Sequence, residues 1–311
     1  MFQGMEYVCA VYQAKSFSKA AKELFISQPS LSASVKRIEN KIGYPIFDRS
    51  TKPLQLTEYG EHYIHAAEQI TSVKNEFVNY INDLGELKTG SLTIGGSSLF
   101  ASLILPPILS EFGKKFPMIK VELIEETTVK LNQFLRNGTI DMVLDNCILD
   151  DEIFDWRPLR EEHLMLAVPE QFAINEKLKE YQISLEMIRN GTHLDEAVKE
   201  VNLKEFQGQP FVLLKKENDT RVRANHICQR QEFEPQIMLE VDQQMTAYNI
   251  ANSGMAIAFV SDTLAMRVPR QSGVVYYKLS TKGNKREVHF YWKKGRYISR
   301  AMEEFLKIAN K

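Results

Sequence analysis

With 311 residues, 44% apolar and 25% charged, the chain has ordinary globular composition, which excludes a disordered or fibrous polymer; at roughly 150 residues per domain it holds about two folding units. The formal charge of −1 conceals an asymmetry, because residues 1–60 carry eight Lys/Arg against five Asp/Glu and the remainder carries 31 against 35. A locally basic N-terminal unit suits a polyanionic partner. No apolar run approaches ~18 residues and no charged segment leading into an apolar one opens the chain, so neither a membrane span nor an export signal is predicted. Cys9, Cys147 and Cys228 are scattered and form no CxxC, so they read as reduced thiols of a cytoplasmic protein.

Met5, Val8, Val11 and Tyr12 set a first helical stripe that ends near Lys15. Ser16 or Ser18 caps a second helix whose packing face is Ala20, Ala21, Leu24 and Phe25, with the two alanines allowing a close helix crossing. Ile26-Ser27-Gln28 is a turn, and Pro29 suits the first position of a third helix, where its missing N–H is not needed. At about 100° per residue, Leu31, Val35, Ile38 and Ile42 form one stripe of that helix. Pro29, Ala33, Lys36, Arg37 and Asn40, flanked by Ser30 and Ser32, face the other way. Two amphipathic helices around a short break, the second with a free polar face, are a helix-turn-helix pattern of the kind that enters a DNA groove.

After Gly43, segments 45–49 and 53–56 around Ser50-Thr51-Lys52 outline a small β-wing, with Arg49 and Lys52 placed for phosphates or a minor groove. The structural alternative for Arg49 is an ion pair with Asp48 or Glu58. Thr57 caps the next helix, which runs without Pro or Gly from Glu61 to about Leu84. Its apolar positions Tyr63, Ala66, Ile70, Val73, Phe77, Tyr80 and Leu84 keep a heptad step, which predicts a dimerising coiled coil; the alternative is a helix packed on its own domain. Beyond Gly90, short apolar strands alternate with helical segments, the pattern of an α/β domain that binds ligands outside the carboxyl ends of its strands. The charged segment 170–208 carries no recognisable motif.

The string SFSKAAKELFISQPSLSASVKRIENKIGYPIFDRSTKPLQLTEYG resembles the LysR-type transcriptional regulators, through Phe17, Ala20-Ala21, Leu24, Ser27-Gln28-Pro29, Leu31-Ser32, Glu39, Gly43, Phe47, Arg49, Leu56-Thr57 and Gly60. Looser similarities follow at Gly90–Gly95, Leu105-Pro106, Phe116-Pro117, Ile140-Asp141 and Gly254–Ile257. The resemblance implies an all-α winged helix-turn-helix over 1–58, a linker helix and hinge over 59–89 that pairs two subunits, and an effector-binding α/β domain over 90–311 resembling type 2 periplasmic binding proteins. Its first lobe would comprise about 91–160 and 266–311, and its second 161–265. The implied protein is a cytoplasmic, sequence-specific regulator bound to promoter DNA as a homodimer or homotetramer, with RNA polymerase a further partner and a small polar or anionic metabolite in the interlobe cleft. The competing reading gives the α/β domain a protein partner or no ligand. Many relatives carry a cation or large polar residue where Ala33 stands, and segment 170–208 is longer than usual.

The DNA contacts expected are Ser27, Gln28, Pro29, Ser30, Ser32, Ala33, Lys36, Arg37, Arg49 and Lys52, with Gln28 the reader of adenine and a helix cap its alternative. For the effector, the Gly95-Gly96 turn presents Ser97 and Ser98, and Thr127 and Thr128 end the next strand; the resemblance places both pairs at the cleft. Asn146, Thr220 and Gln243 are further strand-end candidates, and Arg221 and Arg223 are either anion partners or surface charge. The six histidines show no HExxH spacing, and GxSxG, GxGxxG and P-loop signatures are absent, so an enzyme, a metal and a cofactor are not expected. His62 and His65, three apart on one helix, read as solvated residues.

Overall fold

The computed structural model describes residues 1–83, 90–268, 273–280 and 284–310. Helix α1 (Met5–Ala14) buries Val8 and Val11 and ends on Lys15 at φ 49°. Ser16 Oγ then accepts from Lys19 N–H to start α2 (Phe17–Glu23), which buries Ala20 and Ala21. Helix α3 (Gln28–Ile42) is capped by Ser27, whose Oγ accepts from Ser30 N–H at 3.3 Å, and stops at Gly43, where φ 88° suits a residue without Cβ. Leu31, Val35 and Ile38 are buried against α1 and α2. Phe25 departs from the expected packing face: it adopts φ 55° just after α2 and is 95% exposed, because the left-handed turn directs it outward.

The wing is a minimal hairpin of β1 (Phe47–Asp48) and β2 (Gln55–Leu56). Helix α4 (Glu58–Asp83) starts on Thr57, whose Oγ1 donates to Pro45 O and accepts from Gly60 N–H. Gly60 is required there, since a Cβ would stand 2.0 Å from Ile46 O.

The remainder alternates β3 (Gly90–Gly96), α5 (Leu105–Lys115), β4 (Ile119–Glu125), α6 (Thr128–Asn137), β5 (Met142–Asp145) and β6 (Phe154–Pro169). It continues with α7 (Ile174–Lys177), β7 (Gln182–Ile183), α8 (Leu185–Asn190), β8 (Pro210–Leu214), α9 (Asp219–Arg230), β9 (Gln236–Val241), α10 (Gln244–Asn252), β10 (Ile257–Ser261) and α11 (Asp262–Arg267). Strands β11 (Val274–Lys278) and β12 (Lys285–Lys293) and helix α12 (Arg300–Ala309) complete it. A π-helical turn at Phe100–Ile104 leads into α5. Strand order is β4-β3-β5-β12-β6-β10-β8-β9, with parallel pairing among β3, β4 and β5 and among β8, β9 and β10.

The 16-residue β6 joins two lobes. Its first half pairs with β12, and its second half pairs with β10 and β11. The apolar run His163–Val168 marks only that second half, because residues 155–161 are polar and partly exposed. The lobe division also needs correction. Strand β11, expected in the first lobe with 266–311, belongs to the second: it pairs with β6 over Met165–Pro169, and Tyr276 and Tyr277 enter the second lobe's cores. The chain therefore returns to the first lobe at β12. Segment 170–208 closes the second lobe by burying Leu178, Ile183, Ile188, Val201, Leu203 and Phe206.

Candidate functional site

Helix α3 presents Gln28, Pro29, Ser30, Ala33, Lys36, Arg37 and Asn40 on its exposed side, while Ser32 is half-buried. Ser27 is the helix cap, so Gln28, one residue later, is free of that task. Arg49 is held by neither Asp48 nor Glu58. Its Nη2 donates to Glu39 Oε2 at 3.1 Å, and its guanidinium lies 5.0 Å from the centre of the Phe17 ring. The other Glu39 oxygen accepts from Ile46 N–H at 2.9 Å, so one carboxylate ties the exposed helix to the wing. Asp48 instead accepts from Ser50 Oγ and N–H, which lowers its carboxyl below the usual range. Lys52 is exposed at the wing tip.

Along α4, Ile70, Val73, Phe77 and Tyr80 are exposed at 38–67%, and Val78 and Ile81 widen this apolar strip. Ala66 is half-buried. Leu84 lies outside the described residues. Tyr63 is a correction to the seam: it is buried in the N-terminal core, stacked on Phe2 at 5.2 Å, because the first turns of α4 pack on α1. A second, polar face of α4 docks on the first lobe. Glu68 accepts from Asn137 Nδ2, Glu76 from Tyr297 N–H at 2.9 Å, and Asp83 from Tyr297 Oη and Arg300 N–H, both at 2.8 Å. The apolar strip is left facing outward.

Between the lobes, side chains at strand and helix ends form one hydrogen-bonded chain. Thr128 Oγ1 donates to Asp145 Oδ2 at 2.9 Å, while Asp145 Oδ1 accepts from Asn146 N–H and Cys147 N–H. Asn146 Nδ2 reaches Glu162 at 3.1 Å, and Glu162 accepts from Arg286 Nε at 2.9 Å. Arg286 Nη1 donates to Asp219 at 2.6 Å and Thr220 Oγ1 at 3.3 Å, in the second lobe. Gln244 continues the chain from Thr220 to Ser261. Burial pushes the Asp145 carboxyl up, partly offset by the N–H of Cys147, and burial together with Asp145 pushes the Cys147 thiol up to about 12.

Thr128, Asn146 and Thr220 thus meet in one cluster. Ser97 and Ser98 are half-buried at the end of β3. Thr127 is exposed, with its N–H turned to Glu126, and Gln243 is exposed at the start of α10, where buried Gln244 takes the inward position by one residue. Arg221 is buried on Leu214 O and Glu240, and Arg223 holds Asp219 and Lys285 O, so both are occupied. Glu162 and Arg286 escaped the strand-end reading. Their signal was parity: Glu162 alternates in step with Leu164 and Leu166, and Arg286 precedes Val288 by two.

A cavity of about 690 Å³ lies elsewhere, between α1, the wing, α4 and α6, bordered by Tyr12, Lys15, Leu54, His65, Lys130 and Phe134 among others.

The family model for bacterial regulatory helix-turn-helix proteins of the lysR family matches residues 2–61, and the model for the LysR substrate binding domain matches residues 85–311. The chain belongs to the LysR family. Similar LysR-type relatives include the uncharacterized HTH-type transcriptional regulator YcgK of Bacillus subtilis, 26% identical over 98% of this chain and 92% of that protein. A probable RuBisCO transcriptional regulator of a Nostoc strain is 28% identical over 93% of this chain and 82% of its own length. In fold, the LysR-family chain resembles full-length CbnR in complex with its target DNA, at TM-score 0.68 and 18% identity over 99% of this chain and 98% of that one. Full-length OxyR from Pseudomonas aeruginosa gives TM-score 0.68 at 18% identity over 99% and 96%. As a LysR-type protein the chain is a DNA-binding transcriptional regulator with an effector-binding domain. Among the described residues, no helix is long and apolar enough to cross a membrane.

Proposed function

We propose that two copies of this chain pair through the α4 strip and place two α3 helices on an inverted repeat in promoter DNA, as a homodimer or a dimer of dimers in the cytoplasm. The observation that carries this reading is the division of α3 into a buried stripe, Leu31, Val35 and Ile38, and an exposed face of Gln28, Ser30, Ala33, Lys36 and Arg37. Ser27, Gln28, Pro29, Ser30 and Ala33 meet base edges or nearby phosphates; Lys36, Arg37, Arg49 and Lys52 meet the backbone, and half-buried Ser32 lies at the rim of the contact. The positions 1–58, 59–89 and 90–311 serve as DNA reader, linker and sensor.

The interlobe cluster is the effector site in this reading. A small molecule that changes how Thr128, Asn146 and Thr220 are joined changes the angle between lobes. The docked face of α4 carries that change to the DNA-binding units, and RNA polymerase contact follows from promoter occupancy. No reaction is assigned to the cluster.

Fluorescence anisotropy with duplexes taken from promoter regions tests the first part: saturable binding to one inverted repeat, exceeding that to scrambled duplex, is expected. Equal affinity for both would remove sequence-specific recognition. Persistence of a metabolite's effect on DNA affinity in a Thr128→Ala, Thr220→Ala double variant would remove the cleft as its site.

A further inference from the structure

The interlobe cluster is short of positive charge. Each nearby arginine is already matched by a carboxylate of the chain itself: Arg286 by Glu162 and Asp219, Arg223 by Asp219 at 3.0 Å, and Arg221 by Glu240 at 2.7 Å. The acids are not matched in return. Asp145, 1% exposed, receives hydrogen bonds from Thr128, Asn146 and Cys147, all neutral donors. Glu162 is fully buried, and its Oε2 is shared by Arg286 and Asn146. Its second oxygen, Oε1, has no hydrogen-bond partner among the described residues.

A buried carboxylate oxygen without a donor is unfavourable and calls for an explanation. Asn146 links the two acids directly, its N–H on Asp145 and its Nδ2 on Glu162, so both belong to one polar floor. Two buried carboxylates there face one buried guanidinium, that of Arg286. A bound metal ion is a poor answer, because among the described residues no group of three or more His, Cys, Asp or Glu is arranged to hold one. A protonated amine fits: it brings one positive charge and several donors in a compact group.

Taking the cleft as the effector site, we propose that the effector carries a protonated amine, which donates to Glu162 Oε1 and compensates the Asp145–Glu162 pair. This replaces the anion suggested by the Gly95-Gly96-Ser97-Ser98 turn and by Arg221 and Arg223, whose guanidinium groups are taken.

The test is a thermal-shift titration of the full chain with L-alanine, L-glutamate, L-lysine and putrescine, each beside a counterpart without the amine: propionate, glutarate, hexanoate and 1,4-butanediol. At least one amine is expected to raise the unfolding midpoint saturably while its counterpart does not. Glu162→Gln should weaken that amine by about tenfold or more, as for loss of a charged hydrogen-bond partner. Should Glu162→Gln fail to fold by circular dichroism, Asp145→Asn, which keeps the side chain's shape, is expected to weaken the amine in the same direction. Equal stabilisation by an amine and its counterpart overturns the amine assignment, as does silence from all four amines. The cleft reading survives the former result if stabilisation disappears in Thr128→Ala, Thr220→Ala. Amine binding unchanged by both Glu162→Gln and Asp145→Asn overturns the assignment and the cleft together.

Discussion

Glu39 on the exposed helix and Arg49 on the wing are joined at 3.1 Å, and the same Glu39 carboxylate accepts from Ile46 N–H at the base of the wing. The two DNA-facing elements therefore move as one body. Arg49 is still 46% exposed, so it can hold Glu39 and meet a phosphate at once. Arg49→Ala should weaken binding to cognate and scrambled duplexes alike and reduce the slope of log affinity against log salt by roughly 0.9, the value for one phosphate contact. Anisotropy titrations over a salt series decide it: an unchanged slope would leave Arg49 a positioning residue only.

Gln28 is exposed at the start of α3 and is not used as the cap, which is Ser27. Gln28→Ala should cost discrimination by about 1–3 kcal/mol at one base pair per half-site. Competitive gel shifts with single-base operator variants measure the ratio, and an unaltered ratio would assign selectivity to DNA shape and to the small side chains around Ala33.

Val73 and Phe77 are 67% and 63% exposed, so a charge at either position is accommodated in the isolated subunit but not in a paired seam. Val73→Glu with Phe77→Glu should yield a folded monomer of much reduced operator affinity. Sedimentation equilibrium beside far-ultraviolet circular dichroism checks both statements; a dimer that persists in the variant would place the interface elsewhere.

Glu304 on α12 accepts from Lys115 and Lys307, which hold its carboxyl down at about 2 from an ordinary 4.5. A depressed carboxylate contributes stability that is complete above its unfolded value and lost as pH falls towards the folded one, so the window lies between about 4.5 and 2. Glu304→Gln should flatten the acid limb of the stability curve there and change neutral stability by only about 0–1 kcal/mol, as for surface pairs. Urea midpoints at pH 7, 4.5 and 3 would show it; an identical acid limb in the variant would contradict the assignment.

Much of the architecture was legible because its causes are local. Ser27 and Gly43 bound α3 through hydrogen bonds and a backbone angle that involve neighbours in sequence, and the stripe Leu31, Val35, Ile38 follows from helical periodicity alone. The interlobe candidates were legible in part: Thr128, Asn146 and Thr220 follow strand ends, whereas Gln243 was one residue from the buried Gln244 because helix phase depends on where α10 begins.

Sequence by itself determined the helix-turn-helix, the long apolar-stepped α4 and the alternation of strands and helices, since each rests on propensity, caps and periodicity within a few residues. Only the tertiary structure decided which face of each element was covered. Tyr63 left the seam for the N-terminal core, β11 joined the second lobe through β6, and Arg286 met Glu162 across 124 residues of chain. The physical reason is that burial and ion pairing depend on partners distant in sequence. A charged residue in a strand such as Arg286 can be read as solvated until the strand beside it supplies the carboxylate that lets it be buried.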